Sequence, residues 1–443
     1  MSSSVDRRKF LETASATGIG LMASSRIGPL LAQRGPPGEK VVVAIMGLNG
    51  RGAVLGRVFA GTRNVEVSHV CDVDAQVLAK CVAALGQAQP KTPRGLADFR
   101  RALDDKAVDA LVIAAPDHWH TPAAILALEA GKHVYLEKPG GHNAREAELL
   151  ADAQRKYRRL VQFGTQRRSS PRAREAIQAI SEGVIGRPYY ARGWYANRRQ
   201  AIGRGKVAPV PAGLDYELWQ GPAPRTPYRD NVIHYNWHWF RRWGTGEICN
   251  NGTHEIDVCR WALGVDYPSR VTSVGGRYHL DDEREFPDTQ EVGFEFDNRK
   301  TIVWQGLSAS GFPTQGRSRG VSVQGTEGTI VLDQDGYTVY DPENKVVRES
   351  ITPPGTDPVD ARADDPLTVL HVANFVEAIR TGQPLSAPIA DGHRTALLCH
   401  LGNIAQQTGR ALRTDPTSGR ILRDDDAMRS WQRDYAPGWA PAV

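Results

Sequence analysis

The chain has 443 residues, of which 40% are hydrophobic and 24% charged, and its formal net charge is +5. That length holds two domains of ordinary size, each with its own core, and the composition is that of a soluble globular protein. With no long run of lysine and arginine, a nucleic-acid partner is not expected.

Within positions 1–32, Arg7 and Arg8 stand ahead of Phe10-Leu11 and a weakly apolar stretch over 13–23, rich in Ala, Gly, Ser and Thr. Too short and too polar to span a bilayer, this stretch reads as an export signal. The pattern resembles a twin-arginine signal, a route that carries folded proteins, often with cofactor bound. The expectation is export to the periplasm or another extracytoplasmic space, with membrane contact only through this segment. Cleavage after Ala32 and retention as an anchor both stay open. Cys71, Cys81, Cys249, Cys259 and Cys399 form no C-x-x-C pair, and their odd count argues against a disulfide framework. They are expected to pack as small hydrophobes.

After a Pro/Gly linker at 33–39, residues 41–46 (VVVAIM) form a continuous apolar, β-branched run, as a strand buried on both faces requires. It enters Gly47-Leu48-Asn49-Gly50-Arg51-Gly52 and then a helical pattern to about residue 60. This strand, glycine turn and helix are the context a dinucleotide fingerprint needs, with backbone amides at the helix start facing a pyrophosphate. Asn49 stands at the middle glycine and tolerates left-handed geometry. A second strand over 65–71 ends at Asp72, the place past Gly52 where the fingerprint sets its acidic residue. An acid there accepts hydrogen bonds from a ribose and repels a 2′-phosphate, which favours NAD while leaving NADP possible. Its alternative is a helix cap. Further strands over 110–114 and 133–136 end in Ala115-Pro116-Asp117-His118-Trp119-His120 and Glu137-Lys138-Pro139. A lysine at the carboxyl end of a buried strand sits where open α/β sheets bind ligands. Alternating buried strands and helices make a doubly wound parallel sheet, closed by a last strand over 160–164.

Taken together, Gly47 to Gly52, Cys71-Asp72-Val73-Asp74, Ala115 to His120 and Glu137-Lys138-Pro139 resemble the Gfo/Idh/MocA oxidoreductases. These are named for glucose-fructose oxidoreductase, inositol dehydrogenase and a rhizopine-catabolism protein. The resemblance implies a Rossmann domain over 40–163 and a C-terminal α/β domain over 164–410 with a large open, mostly antiparallel sheet for substrate binding and oligomerisation. A tail covers 411–443. It further implies that Lys138 is the catalytic-site lysine and that Gly47, Leu48, Asn49, Gly50, Arg51, Gly52 and Asp72 hold the nucleotide. Pro116, Trp119, His120 and Glu137 then flank the nicotinamide.

In the second half, Gln166 and Arg168 point from the last Rossmann strand towards the boundary of cofactor and substrate. Solvation at a helix start is the plain alternative for Arg168. Residues 197–231 form a long polar loop, and loops of that length in compact domains are more often functional than idle. Trp237, Trp239 and Trp243 crowd into the next stretch. Trp237 and Trp239 offer faces for a sugar ring, with core or subunit packing as the alternative. The segment Asn250-Asn251-Gly252-Thr253-His254 resembles the family's Asp-x-x-x-His motif, whose histidine is the acid/base. Asn250 replaces the aspartate, so it can orient a neighbour but not take a proton. Asp257, one turn on, either fixes the His254 tautomer or is a structural carboxylate. The spacing of His118, His120, His234, His238 and His254 is not that of metal ligands, and no metal is expected. Strands follow over 271–278, 290–296, 301–307, 320–324, 329–333 and 337–340. A polar loop is expected at about 343–363 and helices over 366–380 and 391–407.

The expected function is hydride transfer between a sugar or polyol-like secondary alcohol and a tightly bound nicotinamide cofactor, in a homo-oligomer (dimer or tetramer). His254 would be the base, with Lys138 polarising the hydroxyl. The alternatives are an NAD-dependent glycosidase and a catalytically silent sugar-binding protein of the same fold.

Overall fold

A computed structural model describes residues 40–351 and 366–443. The twin-arginine segment and its linker lie outside the described residues, as does part of the polar loop expected at 343–363.

The first sheet has six strands. In chain order its elements are β1 (Val41–Met46), α1 (Arg51–Gly61), β2 (Val65–Cys71), α2 (Ala75–Ala88), β3 (Arg94–Leu96), α3 (Arg100–Leu103), β4 (Ala110–Ile113), α4 (His120–Glu129), β5 (His133–Leu136), α5 (Ala144–Tyr157) and β6 (Val161–Phe163). All pairings are parallel, in the order β3-β2-β1-β4-β5-β6. The order reverses between β1 and β4, where the following loops diverge and open a crevice. Continuous apolar runs are explained by burial on both faces, and all four residues of β4 are buried. On one face Ile45, Val70 and Val112 pack with Leu55 and Phe59 of α1. On the other, Leu111, Ile113 and Leu136 pack with Ala123 of α4 and Leu150 of α5.

The second half contributes α6 (Pro171–Ser181), β7 (Pro188–Ala196), α7 (Tyr216–Gln220), α8 (Thr253–Leu263), β8 (Arg270–Gly276), β9 (Thr289–Phe296), β10 (Lys300–Leu307), β11 (Arg319–Gly325), β12 (Thr329–Leu332), β13 (Gly336–Tyr340), β14 (Val346–Ile351), α9 (Pro366–Thr381), α10 (Ile389–Thr408) and β15 (Leu412–Arg413). Nine strands form one sheet, ordered β14-β13-β12-β11-β7-β10-β9-β8-β15. Only β7 and β10 pair in parallel among these strands. In β9, Val292 and Phe294 face the helices while Glu291 and Glu295 face outward, as one covered face requires.

Two features depart from expectation. Val346–Ile351 is an edge strand on β13, not loop; its residues are nearly all exposed, so no buried face marked the sequence. Helix α9 belongs in space to the first half: Val372, Phe375 and Val376 pack against the β1 face of the first sheet. The tail folds back on its own chain, with Trp439 edge-on to Trp119 at 5.1 Å between ring centroids. All five cysteines are buried and unpaired.

Candidate active site

The glycine turn is built by backbone crossing. Gly47 has φ of +81° and Gly50 +57°, so these two positions, and not Asn49, carry the left-handed backbone. Asn49 therefore takes an ordinary conformation, and the substitution leaves the turn intact for a different reason from the one expected. A Cβ at Gly52 would lie 1.7 Å from the Gly47 carbonyl oxygen, while one at Gly50 would meet nothing within 4 Å. The open side of the turn, at the start of α1, fits a pyrophosphate. Asp72 ties the turn to β2: its Oδ2 accepts from the Leu48 amide at 2.7 Å and its Oδ1 from the Asp74 amide at 3.0 Å. Burial pushes its carboxyl up despite those two bonds. It is not the cap of α2; Asp74 holds that position, accepting from the amides of Gln76 and Val77.

Strands β4, β5 and β6 deliver the rest to the same crevice. Glu137 accepts from Arg51 Nε at 2.8 Å and Gln166 Nε2 at 3.0 Å, joining the starts of three loops. Beside it, Lys138 Nζ donates to Asn250 Oδ1 at 2.8 Å. Asn250 sits in a π-helical turn, Ile248–Gly252, that feeds α8, an arrangement often found at functional sites. Burial lowers the Lys138 ammonium, against Glu137, Asp117 and Glu247, which favour its charge. Asp117 accepts from Thr245 Oγ1 at 2.5 Å, and burial pushes it up to about 6. Imidazole of His120 lies 2.8 Å from the Ala115 carbonyl; burial drops it to about 4 and keeps it neutral.

His254 opens α8 and faces the cavity. Burial, and then Arg319, Lys138 and Arg167, hold it well below the ordinary imidazole value. The ring is therefore neutral at pH 7, the form that accepts a proton. Among the described residues it has no hydrogen-bond partner, which leaves both nitrogens to a ligand.

These groups line a cavity of about 450 Å³ together with Gly47 to Arg51, Asp72, Pro116, Trp119 and Gln166. Four expected residues fall outside: Gly52, which packs beneath the turn against Gly47, and Asp257, Arg168 and Trp239. Asp257 does not orient His254; it takes Arg168 Nε at 2.7 Å and Nη2 at 2.9 Å, and Thr395 Oγ1 at 2.9 Å. Three residues advance a helix by about 300°, which turns Asp257 towards α10. That same pair removes Arg168 from the substrate; it also reaches Asp391 and lies over Trp261. Trp239 is buried between Arg199 and Arg284, while Trp237 lines the cavity stacked on His238.

Sequence reasoning missed Arg167, Arg319, Trp219 and His238, all on the cavity wall. The long connection from β7 to α8, which carries Trp219 and His238, caps the crevice. Its Asp215 amide bonds the Val73 carbonyl, Gly213 O accepts from Ala75, and His234 Nε2 meets Asp74 Oδ2 at 3.0 Å.

A doubly wound nucleotide-binding sheet, closed by an α/β half that supplies a cavity histidine and the partner of a strand-end lysine, defines a two-domain dinucleotide oxidoreductase. Residues 41–165 match the family model described as an oxidoreductase-family NAD-binding Rossmann fold, and residues 219–413 match its C-terminal alpha/beta domain. The chain belongs to the Gfo/Idh/MocA oxidoreductase family. It is 32% identical over 208 residues to a glycosyl hydrolase family 109 protein of Saccharopolyspora erythraea, covering 43% of this chain and 45%, under half, of that protein. With the levoglucosan dehydrogenase of Pseudarthrobacter phenanthrenivorans it shares 24% over 333 residues, covering 68% and 78%. A levoglucosan dehydrogenase solved with NADH and levoglucosan superimposes with a TM-score of 0.65 at 21% identity, over 84% of this chain and 99% of that one.

Proposed function

We propose that the protein oxidises a secondary alcohol of a sugar or polyol with NAD. The observation that carries this reading is the convergence of Lys138, held by Asn250, and a neutral His254 on the cavity that begins at the glycine turn and Asp72. NAD, when bound, supplies the hydride acceptor. The glycine turn and the α1 amides hold its phosphates, and Asp72 takes its ribose hydroxyls. Lys138 donates a hydrogen bond to the reacting oxygen, and His254 takes the hydroxyl proton on a free ring nitrogen. Asn250 fixes the ammonium without competing for that proton.

Partial similarity to a glycosyl hydrolase family 109 protein supports a second reading, redox-neutral cleavage of a glycoside with NAD restored in each turnover. The products separate the two: an oxidised sugar in the first, a free reducing sugar in the second. Export by the twin-arginine route and assembly into a homo-oligomer belong to the same proposal; Arg7-Arg8 and the family resemblance support them. The test is to denature protein purified without added nucleotide and identify what is released by mass and absorbance. Stoichiometric NAD or NADH is expected. Empty protein that also fails to bind added NAD or NADP refutes the proposal.

A further inference from the structure

Two arginines on the cavity wall are paired with a single carboxylate oxygen. Arg319 donates to Glu255 Oε1 through Nε at 3.0 Å and Nη2 at 2.9 Å. Arg167 Nη2 lies 3.0 Å from that same Oε1. Neither terminal nitrogen of Arg167 makes a hydrogen bond among the described residues, and the other oxygen of Glu255 makes none either. Arg167 is only 4% exposed. A buried guanidinium with two unused donors is costly unless something else meets it. The nearby carboxylate of Asp333 is 2.6 Å from Arg317, and Glu137 is bound by Arg51 and Gln166. Lys138 adds a third cation, and its direct partner Asn250 is an uncharged amide. Asp117 is engaged by Thr245. Glu247 also faces Lys138 and is itself paired with Arg199, so the excess of positive charge lies at Arg167 and Arg319, which share the one carboxylate of Glu255. Guanidinium forks match carboxylate and phosphate oxygens, two bonds at a time.

We propose that the alcohol accepted by this site carries an anionic group, a carboxylate or a phosphate monoester, seated against Arg167 and Arg319. This rests on the oxidoreductase reading above and names its substrate class: acidic sugars or polyols. Neutral sugars leave Arg167 unmet and bind weakly.

The test is calorimetric titration of the full protein, first with NADH and then, NADH-loaded, with D-glucuronate, D-galacturonate and D-glucose 6-phosphate, each beside its neutral parent sugar. At least one acid should bind about tenfold tighter or more than its parent, the worth of one charge-assisted hydrogen bond. Uronate and phosphate arms tell the two anions apart. Arg319→Gln, at a partly exposed side chain, and Arg167→Gln should each erase the ratio and leave NADH affinity unchanged. Three results overturn the inference: acids no tighter than their parents, a ratio that survives both substitutions, or variants that lose NADH affinity because the arginines hold the cofactor. Wild-type protein that carries no nucleotide and, once freed of any that it held, does not bind NADH overturns the oxidoreductase reading itself.

Discussion

Gly52→Ala is the sharpest perturbation of the cofactor cradle. An added Cβ would stand 1.7 Å from Gly47 O and 2.7 Å from Gly47 C, where real Cβ contacts are essentially never under 3.0 Å. The turn and helix α1 must therefore part by at least the shortfall between the first and last of those distances. Gly47 cannot retreat, because its own Cβ position is 2.6 Å from the Ala115 amide nitrogen. The movement must go into the open side of the turn and carry the α1 amides with it. A hydrogen bond stretched by that much is lost, and charged acceptors make each worth about 1.5–3 kcal/mol. Losing two weakens NADH binding by about 10²- to 10⁴-fold. Overpacking costs about 1–3 kcal/mol of stability besides. Fluorescence titration with NADH, next to a thermal melt, separates the two effects. Gly61→Ala, where an added Cβ meets nothing within 4 Å, should change neither. A folded Gly52→Ala protein that binds NADH within about threefold of wild type refutes the reasoning, since threefold is under about 1 kcal/mol.

Replacing Asp72 with alanine should weaken NADH binding about ten- to a hundred-fold, with NADPH losing less, in parallel titrations. Neutral His254 sets the acid limb of kcat/KM. Because its folded pKa is depressed, activity should persist below about pH 6.5 and fall only at more acidic pH, and Arg319→Gln should move that limb to higher pH; profiles from about pH 5 to about pH 8 decide it. Arg168→Ala should cost about 3–5 kcal/mol in denaturant unfolding, because Asp257 is left buried and unpaired, while NADH affinity of the folded protein stays within about twofold. His118, His120 and His400 are buried neutral, at about 3, 4 and 4. Each is protonated in the unfolded chain below about 6.5, so stability is present above that pH and is lost as pH falls towards 4. The slope approaches about 1.4 kcal/mol per pH unit for each ring, and the melting temperature should follow.

Much of the first half was legible because its chemistry is local. The apolar run before Gly47, the acid after β2 and the lysine after β5 each sit at a strand end, and strand ends in a parallel sheet meet at one edge. The second half obeyed no such rule. Arg167 and Arg168 are adjacent and equivalent in the sequence, yet one faces the cavity and the other is consumed by Asp257; only the placement of α8 and α10 decides between them. Arg319 comes from β11, paired with β7, and meets Glu255 next to His254 on α8, a contact no local pattern announces. Trp237 and Trp239 looked alike as sugar platforms, but a short helical turn sends them in different directions. The signal that could have found Arg319 is its place at the start of a strand with two buried valines, opposite a strand rich in tyrosine.

Helix α9 makes the two halves inseparable. It is encoded after every strand of the second sheet except β15, yet its Val372, Phe375 and Val376 complete the packing around Phe59 and Tyr135 of the first. A fragment ending near residue 163 would expose that aromatic surface to water. The nucleotide-binding half is thus a composite unit, finished only when the distant end of the chain has been made. A break anywhere between β7 and α9 would cost the first sheet part of its cover as well as the second its strands.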